Sequence, residues 1–268
     1  MPESPPTERD AWNNVKEIIG TRSLTLGGHW SFNIRNDPKR LPFVLSRYKF
    51  AAKMVRGGED EGTEGRRDEG TEGSNPSAIR HLQSAIGSNP TPDPRHPTPG
   101  FALLELGCSE GIGTPILAEF ARSYTGVDLD ADAIAAAQRN FAAANRTFIA
   151  DDFLGKTYGR FGAVVSLDVC EHIVPELENR YFDTIAANIT DAGVAVVGTP
   201  NKTADQYASA MSKAGHVNLF DAAHLMRAMR RVFHNVFPFG INDEVVHTGY
   251  APMCHYLVCV GCNKRVEP

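Results

Sequence analysis

The chain has 268 residues, 42% of them hydrophobic, and a mean hydropathy of -0.27, enough for one large α/β domain with appendages around a single core. No apolar run approaches the roughly 20 residues of a membrane helix, and the polar, proline-rich start MPESPPTERDAWNN lacks the pattern of a secretory signal, so a cytoplasmic protein is expected. The formal net charge is -5, most of it in one segment described below, so the remainder is near neutral. No basic field exists to draw in nucleic acid or an anionic membrane, and a small-molecule partner is expected.

A weak helical pattern runs around Trp12 to Ile19, followed by GGHWSFNIRNDP. Next, LPFVLSRYKFAAKMV places Phe43, Val44, Leu45, Tyr48, Ala51, Ala52 and Val55 near helical spacing, which predicts an amphipathic helix packed on the main domain. Residues 1–56 thus read as a helical cap, with His29, Trp30 and Arg35 as candidates for lining a substrate pocket. Residues 57–99 contain no aromatic residue, repeat DEGTEG and GSNP, and hold eight acids against four arginines. Such a segment cannot bury enough apolar surface to offset the entropy of ordering it, so a disordered low-complexity insertion is expected.

From Gly100 the pattern alternates. Strands FALLEL, YTGVDL, RTFIAD, AVVSL and GVAVVGT are separated by helical stretches TPILAEFARS, DADAIAAAQRNFAAAN and PELENRYFDTIAANI. Thr114 with Pro115, and Pro175, are expected to start helices. This alternation predicts a doubly wound, mostly parallel sheet over residues 100–265. RRVFHNVFPFGIN and CHYLVCVG add two final strands, giving seven in all with an antiparallel strand at the edge. Five cysteines, an odd number mostly inside apolar runs, argue for reduced thiols rather than a disulfide framework. Cys259 and Cys262 form a C-x-x-C just after Cys254 and His255, but without a second ligand pair at finger spacing they read as part of a strand.

The stretch LLELGCSEGIGT (Leu103 to Thr114) sits where an open α/β sheet binds its ligand, beyond the first strand. Three chemistries fit such a turn. A dinucleotide loop needs G-x-G-x-x-G/A, and GIGTPI has Ile116 at the third small position. A serine nucleophile elbow would use Ser109 of GCSEG, with Asp168 and His172 as partners, but no HGGG-type oxyanion segment precedes it. The loop that wraps S-adenosylmethionine accounts for more residues.

ELGCSEGIG resembles motif I of the class I S-adenosylmethionine-dependent methyltransferases. The resemblance implies a Rossmann-like fold and assigns the cofactor to Glu105, Gly107, Cys108, Ser109, Gly111 and Gly113, with Ser109 departing from the glycine often found there. It further implies that Asp128 takes the ribose hydroxyls beside Leu129, that Asp152 (or Asp151) accepts from the adenine amino group, and that Phe153 flanks the ring. DVCEH after the fourth strand resembles the E-x-x-E-H array of metal-assisted O-methyltransferases of the ubiquinone-pathway type and of small-RNA 2'-O-methyltransferases. On that likeness Asp168, Glu171 and His172 could hold a divalent cation such as magnesium. Otherwise Asp168 contacts cofactor, and Glu171 and His172 cap a helix.

GTPNKTADQYASAMSKAGHVNLFD resembles the substrate-side loop of the ubiquinone-type enzymes, making His216, with His172, a candidate base and Asn201 and Asn218 candidate substrate contacts. The expected function is O-methylation of a small molecule, with small-molecule N-methylation, metal-dependent RNA 2'-O-methylation and non-catalytic cofactor binding as alternatives. Oligomeric state is left open.

Overall fold

The computed structural model describes residues 23–56 and 100–265, together with the isolated positions Arg9 and Glu17. The weak helix around Trp12 to Ile19 and the segment 57–99 lie outside the described residues. The chain divides into two compact units, residues 1–24 with 62–98 and residues 25–61 with 99–268. Every element below belongs to the second, so the two cap helices form one unit with the sheet rather than a separate domain. No helix among the described residues is long and apolar enough to cross a membrane.

Helix α1 is Gly28–Asn36 and α2 is Arg40–Arg56. On α2 the buried residues are Val44, Tyr48, Ala51, Ala52 and Val55, the expected stripe at intervals of three and four. Five strands follow in parallel: β1 (Ala102–Leu106), β2 (Ser123–Asp128), β3 (Arg146–Ala150), β4 (Phe161–Leu167) and β5 (Ile189–Pro200). Between them run α3 (Thr114–Leu117), α4 (Ala131–Phe141) and α5 (Glu178–Asn188). After β5 come α6 (Ala210–Gly215), α7 (Ala222–Val232), β6 (Phe233–Asn242), β7 (Val245–His247) and β8 (Tyr256–Lys264).

The strand order is β3-β2-β1-β4-β5-β8-β6-β7, so the sheet has eight strands rather than seven. The extra one, β7, is only three residues long and carries no readable alternation. The antiparallel pairing lies on the edge side as expected: β8 inserts between β5 and β6 and pairs antiparallel to both, and β7 ends the sheet antiparallel to β6. Within β1, Leu103 faces the α2, α3 and α4 side while Leu104 faces the α5 and α7 side, the two-residue period of a strand buried on both faces.

Two helix starts differ from expectation. Thr114 does not cap α3, since its hydroxyl donates to Tyr124 (3.1 Å) and the cap position is Gly113. Pro175 opens a 3-10 turn that runs into α5. Asp130 caps α4 by accepting from the Asp132 and Ala133 N–H groups. All five cysteines are free thiols, four of them buried, and Cys259 and Cys262 lie in β8 as expected.

Candidate functional site

A cavity of about 470 Å³ opens beyond the carboxyl ends of β1, β2 and β4, where the strand order reverses and doubly wound sheets bind ligands. Its size is that of an ordinary small-molecule site. The floor is the turn after β1. The Gly107 and Cys108 N–H groups both donate to Val127 O (2.8 and 3.1 Å), which folds the chain back under β2. Gly107 has φ +78°, and a Cβ there would lie 2.2 Å from Val169 Cγ2, so only glycine fits. Ser109 takes the left-handed conformation (φ +48°) despite its side chain; its N–H donates to Asp128 Oδ2 at 2.7 Å, which offsets the backbone strain.

Asp128, ending β2, also accepts the Asp130 N–H at Oδ1 (3.0 Å). A carboxylate has about four acceptor positions, so two remain for donors in the cavity. Beside it Leu129 is 72% exposed and lines the cavity with Asp152 and buried Phe153. Of the two neighbouring acids, one lines the cavity. Asp151 faces away, accepting from Lys156 Nζ (2.5 Å) and Tyr158 OH (2.9 Å), and the Lys156 bond holds its carboxyl below the usual range. Asp152 is the one on the wall.

Glu105 does not reach the cavity. It is 1% exposed and accepts hydrogen bonds from Tyr48 OH (2.8 Å) and Tyr124 OH. Burial pushes it up to about 7 against the pull of the two phenols. It therefore ties α2 to the sheet under the turn instead of meeting a ligand. Gly111 and Gly113 also stay out of the wall; Gly113 leaves room for the Tyr48 ring, which a Cβ would meet at 2.1 Å.

The other end of the cavity is lined by His29, Trp30, Arg40, Val44, Asp168 and His172. Asp168 follows β4 with φ +58°, and Arg47 Nη1 donates to both its carboxylate oxygens (2.9 and 2.8 Å). The Arg47 guanidinium stacks 3.6 Å over the Tyr256 ring. Because Arg47 occupies Asp168, the expected cation set of Asp168, Glu171 and His172 is not formed. His216 replaces Asp168: the ligand atoms of Glu171, His172 and His216 lie within 4.8 Å of one another. One carboxylate and two imidazoles do not fit magnesium, which takes oxygen ligands; the set suits zinc or manganese.

Glu171 is buried, accepts from Thr199 Oγ1 at 2.9 Å, and burial pushes it up to about 8. Its Oε1 has no partner among the described residues. The His172 Nδ1 lies 2.8 Å from the Gly215 carbonyl; a carbonyl only accepts, so Nδ1 carries the proton and Nε2 is a free acceptor. His216 packs edge-on to it, ring centroids 5.1 Å apart, and burial followed by the neighbouring His172 lowers its proton affinity. Of the two candidate bases, only His172 is on the cavity wall.

Asn201 and Asn218 are committed to the fold. Asn201 Nδ2 donates to Ala251 O and Cys254 O (both 2.8 Å), and Asn218 Nδ2 donates to Glu178 Oε2 (2.9 Å). Neither lines the cavity, which corrects the expectation that they contact substrate. Among the described residues, no histidine or acid is hydrogen-bonded to the Ser109 hydroxyl, so no nucleophile triad is assembled.

Three residues were missed from the sequence. Arg40 and Arg47 lie on the same helical stripe as Val44 and Ala51, and a cation on a buried stripe was the available signal. Glu110, inside the glycine turn, accepts from the Gly27, His29 and Trp30 N–H groups (2.8, 2.8 and 3.3 Å) and so caps α1, a role no local pattern encodes. Arg35 is exposed and outside the cavity wall.

A doubly wound sheet with a glycine turn, an acid ending the second strand and a cavity at the reversal of strand order defines a Rossmann-like nucleotide-binding fold. A family model described as a methyltransferase domain matches residues 76–232, more than half of the chain, and the chain belongs to that family. It is 28% identical over 152 residues to the ubiquinone biosynthesis O-methyltransferase of Methylobacterium nodulans, covering 53% of this chain and 59% of the relative. Identity is also 28% over 152 residues to the mitochondrial ubiquinone biosynthesis O-methyltransferase of Arabidopsis thaliana, covering 53% and 46%. The chain spans about half the length of the curated relatives it matches. Among solved structures, a chain of the complex between the Haloferax volcanii Trm112 methyltransferase activator and a methyltransferase superposes with a TM-score of 0.53 at 14% identity, covering 64% of this chain and 86% of that one; this likeness is one of fold.

Proposed function

We propose that this protein transfers the methyl group of S-adenosylmethionine to a hydroxyl oxygen of a small-molecule acceptor. The observation that carries the reading is one cavity with two unlike ends: Asp128, Leu129, Asp152 and Phe153 at one, and His172 with an unblocked Nε2 at the other. The first set fits adenosine, since Asp128 retains acceptor positions for two hydroxyls, Asp152 can accept from an amino group, and Leu129 and Phe153 are apolar walls for the ring.

When bound, the cofactor supplies a methyl group on a sulfonium, open to direct displacement. The chain then has to align the acceptor and exclude water. Trp30 and Val44, both buried, close the cavity on the α1 and α2 side. His172 Nε2 takes the hydroxyl proton, a role general bases fill with rate factors of roughly 10²–10⁴. Asp168 and Arg47 hold the turn after β4 in place. The likeness to ubiquinone biosynthesis O-methyltransferases supports oxygen over nitrogen as the accepting atom. Free thiols fit a reducing, cytoplasmic setting.

Calorimetric titration with S-adenosylmethionine and S-adenosylhomocysteine tests the reading. Micromolar binding of both is expected, and no binding of either sinks it. Repeating the titration with magnesium tests the donor set: no binding of magnesium is expected, because one carboxylate and two imidazoles do not suit an ion that takes oxygen ligands.

A further inference from the structure

A second cavity, of about 130 Å³, lies between the start of α7 and the strands β6 and β8. It shares no wall residue with the first. Ala222, Met226, Pro238, Leu257, Cys254 and Cys259 line it, with the loop that follows β7 along one side.

The polar groups around this space are already engaged. The Gly249 N–H donates to His247 Nδ1 (3.1 Å), so in the neutral ring Nε2 carries the proton, and it lies 3.8 Å from Cys254 Sγ. The Cys254 thiol in turn donates to the Tyr250 carbonyl (3.9 Å). The Ala251 and Cys254 carbonyls accept from Asn201 Nδ2 (both 2.8 Å). Pro238 has no N–H, and Phe239 and Gly240 pair with Val258 and Leu257 in the sheet. Burial pushes the Cys254 thiol up and the Cys259 thiol up to about 12, so both stay uncharged at neutral pH. Exposed Thr248 supplies the wall's one side-chain hydroxyl. A buried water needs about two to four polar partners, which these walls do not offer. Apolar cavities of about 150 Å³ stay dry and take benzene or xenon instead. Small residues keep the space open: Gly240 lets the Cys254 sulfur lie against β6, where a Cβ would stand 2.0 Å from it, and Ala222 adds only a methyl group.

We propose that this cavity is a second ligand site, for a neutral apolar molecule the size of one aromatic ring. The site stands apart from the methyl-transfer reading and does not depend on it.

The test uses the full chain carrying ¹³C-methyl methionine, with benzene as the probe. The Met226 signal, identified as the one missing from Met226→Leu, is expected to shift saturably, half-maximally at about 1 mM benzene or below. Benzoate, the same ring with a charge, is expected to need at least about tenfold more, because the walls cannot pair a carboxylate. Ala222→Leu, which puts a larger side chain into the space, is expected to weaken the benzene response at least about tenfold. A Met226 signal unmoved up to about 10 mM benzene overturns the proposal. So does equal binding of benzoate and benzene, or an equal response of the wild type and Ala222→Leu, which places benzene elsewhere. The wild-type titrations decide whether or not the variant folds.

Discussion

The two ends of the cavity are built in opposite ways. At the end proposed for adenosine, Asp128, Leu129, Asp152 and Phe153 sit at or just after the carboxyl ends of the adjacent parallel strands β2 and β3. At the acceptor end, His29, Arg40, His172 and, behind it, His216 come from α1, α2 and the segments after β4 and β5. The first end carries two acids, and the second carries Arg40, two imidazoles and an acid already paired with Arg47. The difference teaches that the ligand-binding frame is local in the chain, whereas the chemistry is assembled across it.

Removing His172 should separate the two ends most sharply. His172→Gln is expected to lower labelled methyl transfer from S-adenosylmethionine into a small-molecule extract by about 10²–10⁴-fold. Calorimetry should find S-adenosylhomocysteine affinity unchanged; a parallel loss of binding would mean the ends are not independent.

Glu105 belongs to neither end, and Glu105→Gln shows why. Burial lifts its folded-state value from 4.5 to about 7, so the folded chain holds a proton that the unfolded chain has released. Its contribution to stability is full below the unfolded value and is lost as pH rises through about 7. Urea unfolding at about pH 5 and about pH 8 should therefore show the variant gaining on the wild type by on the order of 3 kcal/mol at the higher pH. Cofactor affinity should barely move, because the Glu105 carboxylate is bonded to Tyr48 and Tyr124 and does not line the cavity.

Asp128→Ala acts on the adenosine end alone. Loss of hydrogen bonds to a charged group should weaken S-adenosylmethionine binding by about 1.5–3 kcal/mol, measured by calorimetry. Unchanged affinity would break the assignment of that end.

The smallest effect is expected at Glu110, the contact through which the cofactor turn reaches the acceptor end. Glu110→Ala leaves the start of α1 uncapped, at a cost of about 1–2 kcal/mol. With Trp12→Phe in the background, Trp30 fluorescence should shift to the red as α1 loosens; an unshifted spectrum would show that packing alone holds the helix.

Most of the fold was legible in the sequence. The two-residue period of buried strands and the stripe on α2 are set by which residues must leave water, so β1 to β5, α2, β6 and β8 were foreseen. β7 was not, because three residues carry no period, and the insertion of β8 between β5 and β6 is a matter of pairing, which a strand does not state about itself. The glycine turn, Asp128 and the choice of Asp152 or Asp151 followed from the motif, since backbone geometry at a strand end is short-range.

What the chain order alone determined was therefore the Rossmann-like frame and the residues proposed for the adenosine end, each of which is positioned by neighbours a few places away. The tertiary structure decided the rest. It gave Asp168 to Arg47 across 121 positions, drew His216 in behind His172, and withdrew Asn201 and Asn218 into backbone and side-chain bonds of their own. It also set Arg40 at the cavity wall, without an ion pair among the described residues. Electrostatic pairing depends on distance in space, and no local pattern of residues records which charge another charge will meet.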